Sequence, residues 1–177
     1  MKINKEYREI VNNILCDENF LLLKDDNHHG TNKYDHCKRV SYLSYLTAKL
    51  FRANVKEVAR AGLLHDFFYG SRTSKPENSY LQHSLTSAKN ATKFFLITEN
   101  EKNIIETHMY HYAILKKITP FVSEEEKKYL ATYKPKNKDG VIVCISDLIV
   151  SIFECIVYKV RYSVLLYTIF LINIIRC

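Results

Sequence analysis

The chain has 177 residues, 47% hydrophobic and 25% charged, with only 4 Gly and 3 Pro. That length fits one domain, and so few turn-forming residues exclude an all-β fold, which needs many turns. A net charge of +7 and a pI near 9.1 suit a phosphate-bearing partner, but the lysines are scattered and no RNA-binding or zinc-finger signature is present, which argues against specific nucleic-acid binding.

Residues 3–16 predict an amphipathic helix, with Ile3, Tyr7, Ile10, Ile14 and Leu15 on one side. The same stretch lacks the unbroken apolar run of a secretory signal, so a cytoplasmic location is expected. Residues 24–32, with DDNHHGTN, predict a loop. Helix follows over residues 33–51. A second helix starts after Asn54, a suitable N-cap, and is expected to run through VKEVARAGLLHDFF. YGSRTSKPENSY then forms a polar loop, and helix resumes near His83. Thr98 and Glu101 match a capping box that opens the helix carrying NIIETHMYHY. Pro120 breaks that region, and Ser123 with three glutamates starts a short helix whose acids complement its dipole.

The loop YKPKNKDG leads into a long apolar helix containing VIVCISDLIVSIFE. A separate C-terminal apolar helix is expected at about 161–176, where YSVLLYTIFLINII runs for about 14 residues without a charge. That is short of the ~18–20 residues that span a bilayer. Core packing or a subunit interface is therefore the first expectation, a membrane-surface segment the second and a true span the last. The five cysteines, Cys16, Cys37, Cys144, Cys155 and Cys177, follow no disulfide framework and no CxxC spacing, which fits free thiols in a reducing compartment. The whole reads as one all-α domain over residues 1–177, a compact helical bundle with its core at about 33–154.

Histidines recur on the apolar faces of these helices. His36 shares a face with Val40, Leu43, Thr47 and Leu50; His65 with Val58, Ala61, Gly62 and Phe68; His108 and His111 with Ile104. Asp147 lies in VIVCISDLIVSIF with no basic residue within a helical turn. A carboxylate buried there costs several kcal/mol unless it is paired or bound to a cation. A divalent metal suits both groups, since neutral imidazole and carboxylate are its ordinary ligands.

In the order His36, then His65-Asp66, then Asp147, the chain resembles the HD-domain superfamily of metal-dependent phosphohydrolases. The matching stretches are YDHCKRVSYLSYLTAKLF, ARAGLLHDFFYG and CISDLIVSIFE, and the resemblance covers roughly residues 33–154. It implies an all-α fold and a metal held by His36, His65, Asp66 and Asp147, with Asp66 also orienting the attacking water. NSYLQHSLTSAKNATKF and EKNIIETHMYHY look like the regions that supply extra histidines for a second metal in some members. On that pattern His83 and His108 bind a second ion, with Asp66 bridging the pair, and His111 is a spare candidate. His29, on the approach to the first ligand, is a candidate pocket residue beside the plainer reading of a loop histidine. The implied cofactor is one or two divalent ions, with Mn, Fe, Co, Ni, Mg and Zn not distinguished by the ligand set.

The implied chemistry is hydrolysis of a phosphate ester or anhydride. Arg39, one turn after His36, can offer its planar fork to a phosphate oxygen, and Lys136 and Lys138 are further phosphate-binding candidates. The acidic pair that follows the HD in the alarmone-hydrolysing branch is replaced here by HDFFYG, and the GYP of the cyclic-di-GMP-cleaving branch is missing. The extra histidines look closer to branches acting on small nucleotides or dinucleoside polyphosphates. The alternative is a non-enzymatic metal-binding regulatory or interaction module, which its C-terminal helix could associate with a membrane. A homodimer is compatible with either reading, and membrane association is the less favoured expectation.

Overall fold

The computed structural model describes residues 4–28, 31–70, 81–117 and 123–175. Its helices are α1 (Lys5–Leu15), α2 (Glu18–Leu21), α3 (Lys33–Leu50), α4 (Val55–Leu64), α5 (Gln82–Phe94), α6 (Glu99–Thr107), α7 (Tyr110–Lys117), α8 (Glu124–Thr132) and α9 (Lys138–Ile175). The all-α expectation holds. The one exception among the described residues lies in the expected loop before α3, where β1 (Asn27–His28) and β2 (Thr31–Asn32) pair antiparallel, Asn27 opposite Asn32.

Side-chain caps fix where these helices begin. The Asn4, Asn32 and Asn54 side chains accept from the backbone N–H of Glu6, Asp35 and Glu57. Thr98 and Glu101 form both bonds of the expected capping box. Each such cap stabilises its helix by about 1 kcal/mol.

Packing then brings α3 and α4 unusually close. A Cβ at Gly62 of α4 would lie 3.1 Å from Ser41 Cα, so a side chain there would push the α3 backbone away by a few tenths of an ångström. Tyr7 OH donates to Ser41 Oγ (3.0 Å), and Ser41 Oγ donates to Ala59 O (2.6 Å), which ties α1, α3 and α4 together. On its other side α4 is joined to α6 by the buried Arg60–Glu101 pair, 2.6 Å apart. Phe20, Val40, Leu63, Ile104 and Val143 belong to the one large apolar core between these helices.

Three helices differ from the periodicity. The second helix stops at Leu64, before the HD dipeptide, because Phe67 N–H turns back to Leu64 O and Phe68 N–H to Asp66 O. The stretch around His108 is two helices, with α6 ending at Thr107 and α7 starting at Tyr110. Finally, no separate C-terminal helix exists, since α9 runs unbroken from Lys138 to Ile175. Residues 158–166 are all exposed, against the expectation of core packing at the start of the tail.

Candidate metal centre

The ends of α4 and α6, the start of α5 and the interiors of α3 and α9 bring the predicted ligands together. His65 is the C-cap of α4 and His108 the C-cap of α6. The last carbonyls of a helix lack intrahelical partners, and each imidazole supplies one: His65 Nδ1 lies 2.8 Å from Gly62 O, and His108 Nδ1 lies 2.8 Å from Ile105 O. A carbonyl only accepts, so Nδ1 carries the hydrogen in both rings. Nε2 is thereby the atom directed inward. His36 of α3 is fixed in the same sense, with Nδ1 2.8 Å from Glu154 Oε2 and Nε2 3.1 Å from Asp147 Oδ1.

The carboxylates sit between these rings. Asp147 Oδ1 is 3.1 Å from His36 Nε2 and 3.6 Å from His65 Nε2, and it accepts from Ser151 Oγ at 3.2 Å. Asp66 faces two ways. Its Oδ2 stands 3.9 Å from His65 Nε2, while its Oδ1 is 3.2 Å from His83 Nε2 and 3.6 Å from His108 Nε2. The two latter rings approach to 3.1 Å at Nε2. All six residues are buried.

Electrostatics divide the cluster. Burial opposes charge on His36, but the carboxylates of Asp147 and Glu154 outweigh it and raise its pKa. Burial likewise opposes charge on His65, and the charge of Asp66 with the interactions from Cys37 and Asp147 raises it well above the ordinary value. Asp147 is the counterpart: burial pushes its carboxyl up, yet His36 and His65 hold it well below the usual range. His108 goes the other way, with burial pushing it down to about 4 despite Asp66.

These residues fit a divalent metal. His36, His65 and Asp147 offer donor atoms within 4.8 Å of one another, as do His65, Asp66 and His108. Neutral imidazoles and carboxylates are the donor set such ions take. His65 Nε2 is buried with no hydrogen-bond partner among the described residues. Leaving such an atom unsatisfied costs about 1–3 kcal/mol, which coordination removes.

Other expected residues lie elsewhere. Lys138 Nζ donates to Phe51 O and Arg52 O, at the far end of α3. It precedes Asp147 by nine residues, ~14 Å along the helix, so it does not reach a phosphate at this centre. Lys136 is exposed at the same end, its backbone N–H donating to Asn103 Oδ1. Arg39 Nη1–H donates to Glu154 Oε1 (2.7 Å) and Thr31 Oγ1 (3.3 Å) rather than standing open for a phosphate. His111 is held by His108 O and Cys144 Sγ, outside both metal-holding groups. His29 and residues 71–80 lie outside the described residues.

Two residues outside the sequence-based expectation belong to the site. Glu154 stands two turns after Asp147 on α9, and it bridges His36 and Arg39. A second carboxylate seven residues on, in an otherwise apolar run, is the signal that points to it. Lys33 is buried, with Nζ donating to Asp26 Oδ2, Phe68 O and Gly70 O at 3.1, 2.8 and 2.6 Å. All three of its N–H groups are used, which clamps the segment that follows Asp66.

A family profile described as "HD domain" matches residues 34–151, a span that contains His36, His65, Asp66, His83, His108 and Asp147. Comparisons with curated proteins and with solved structures found no match.

Proposed function

This chain belongs to the HD-domain family, whose members are generally metal-dependent hydrolases, and from that premise we propose that it is a phosphohydrolase cleaving a phosphate ester or anhydride in a small phosphorylated substrate, a nucleotide or dinucleoside polyphosphate. The observation that carries this reading is Asp66, whose two oxygens face two different sets of imidazoles. One carboxylate that faces two ligand sets suits a pair of ions held close together on one phosphate.

His36, His65, Asp147 and Asp66 would hold one divalent ion, and His83 and His108 with Asp66 would hold a second. A bound divalent metal lowers the pKa of coordinated water and polarises a phosphoryl oxygen. The protein's part is positioning. The Nδ1 hydrogen bonds of His36, His65 and His108 keep Nε2 of each ring aimed at the centre. Asp66, the expected catalytic residue, orients the attacking water, and Glu154 and Arg39 hold His36 in place. The nucleotide class rests on the extra histidines, and a reducing, cytoplasmic location rests on cysteine spacings that follow no disulfide framework.

Metal analysis of the purified chain, followed by a screen of phosphorylated substrates with Mn²⁺, Co²⁺ or Ni²⁺, tests the proposal. Bound metal and turnover are expected, with His65→Ala losing both. Bound metal without turnover on any substrate would instead make the chain a metal-binding module. Turnover by metal-free Asp147→Ala protein would end the mechanism.

A further inference from the structure

The long C-terminal helix changes character along its length. Up to Glu154, one face of α9 is buried, with Val143, Asp147, Val150 and Glu154 turned into the domain. The opposite face shows a single apolar stripe that includes Ile145, Ile149, Ile152 and Ile156. From Tyr158 to Leu166 the domain offers no cover. Tyr162, Val164, Leu165 and Leu166 are 54%, 60%, 55% and 49% exposed. At about 100° per residue, Tyr162 and Leu166 share one side while Val164 and Leu165 point to two others, so the exposed apolar side chains are spread around the helix. From Tyr162 to the next charge, Arg176, the sequence is uncharged.

A helix that is apolar on every side needs apolar surroundings on every side. A second copy packed along α9 would cover a narrow seam. That would suit the stripe on the domain half but leave most of the tail in water, whereas lipid covers all sides at once. The border of the tail has the matching composition: Lys159 and Arg161 are exposed, and Tyr158 and Tyr162 stack with ring centres 6.5 Å apart. Basic and aromatic residues at the edge of an apolar helix mark the headgroup level of a bilayer. The net charge of +7 favours anionic headgroups.

We propose that residues 162–175 insert into an anionic phospholipid bilayer and hold the domain at its surface. The uncharged segment is about 21 Å long at the helical rise, against a hydrocarbon core of ~30 Å, so it enters one leaflet. It cannot be lengthened backwards, because Asp147 and Glu154 are fixed in the metal centre. This inference stands apart from the hydrolase reading, since none of its residues touches the centre.

The test is flotation of the full chain, diluted from detergent, with phosphatidylcholine vesicles that contain or lack phosphatidylglycerol. The chain should rise with the anionic vesicles and bind the neutral ones at least about fivefold more weakly. Lys159→Glu/Arg161→Glu should remove that preference, and Val164→Glu/Leu165→Glu should abolish flotation while metal content is unchanged. The chain has no tryptophan, so Leu166→Trp gives a single fluorophore whose emission should shift to the blue on vesicle addition. A full chain that stays at the bottom with both vesicle types overturns the proposal. So does a sedimenting dimer in which the Leu166→Trp emission is already blue without lipid, which would assign the tail to a second copy.

Discussion

The two halves of the ligand cluster use the same donor types and hold them in opposite states. Around Asp147, His36 and His65 form ion pairs, and the carboxylates raise both imidazoles. Around Asp66 Oδ1, His108 is depressed to about 4 although the carboxylate is only 3.6 Å away, because burial and the neighbouring His65 and His83 oppose a further positive charge. The first half therefore favours imidazolium against carboxylate, although His65 Nε2, 3.6 Å from Asp147 Oδ1, is left short of a hydrogen bond. At His108 the second half presents a neutral ring at neutral pH, ready to coordinate. One fold has built a proton-filled half and a half primed for a cation, with Asp66 common to both.

Breaking the shared member has the largest expected effect. Asp66→Asn keeps the shape but removes the charge that faces both ligand sets. Metal content should fall at both halves, and turnover should drop on the order of a thousandfold, the scale of losing one preorganised electrostatic group. Metal analysis and single-substrate kinetics measure the two effects. If the variant keeps one ion and most of its turnover, the halves are independent and Asp66 bridges nothing.

Removing support from one half alone comes next. Glu154→Ala leaves His36 Nδ1 without its acceptor, and loss of such an outer partner typically weakens metal affinity about 10–100-fold. The weakening should fall on the Asp147 half. Glu154→Gln retains an acceptor and should lie between the alanine variant and the parent. Titration with Co²⁺, whose absorption reports its ligand field, separates this from a general loss of folding. Unchanged affinity in Glu154→Ala would reduce Glu154 to a structural ion pair.

Glu154 also shows what a sequence makes legible. Asp147 announces itself, since a lone carboxylate between Ile145 and Ile149 has no cheap resting place. Glu154 follows the exposed Ile152 and Phe153 and reads as the polar end of a core helix. Its partner His36 lies 118 residues away in the chain, a pairing that no local pattern encodes. The helix ends at His65 and His108 are hidden for a related reason. Apolar spacing continues through both, and neither Gly nor Pro marks a stop. The termination is a backbone event in which an imidazole takes the carbonyl three residues back. The tail of α9 is misplaced by its composition, which says that a segment is apolar and not whether anything covers it. Arg39 looks available for phosphate in the sequence, and only the fold shows Glu154 in front of it.

The halves should also separate by pH. In metal-free protein His36 and His65 have raised pKa values, so their ion pairs stabilise fully below the ordinary imidazole value of ~6.5 and are lost as pH rises through the raised values. His108 has the opposite sign: its depressed pKa costs stability as pH falls from ~6.5 towards about 4. Metal must displace protons from His36 and His65. Each displaced proton raises affinity by up to about tenfold per pH unit, so affinity at the Asp147 half should rise by well over about tenfold between roughly pH 6 and pH 8, whereas His108 adds no slope in that range. Calorimetric titrations in buffers of different ionisation heat count the protons released at each step. Equal release at both steps would remove the distinction between the halves.

The smallest effect should come from Arg39, and its direction decides between two roles. Its guanidinium is half exposed, and its pair with Glu154 is 2.7 Å long. If the guanidinium binds the substrate's phosphate, Arg39→Ala should raise KM and leave metal binding untouched. A brace on Glu154 predicts the reverse: a few-fold weaker metal affinity, in the range of a partly exposed ion pair, with KM nearly unchanged once metal is saturating. The double variant Arg39→Ala/Glu154→Ala should then bind metal no more weakly than Glu154→Ala alone, because the brace has nothing left to hold. Additive effects would mean that Arg39 reaches the centre by a route of its own.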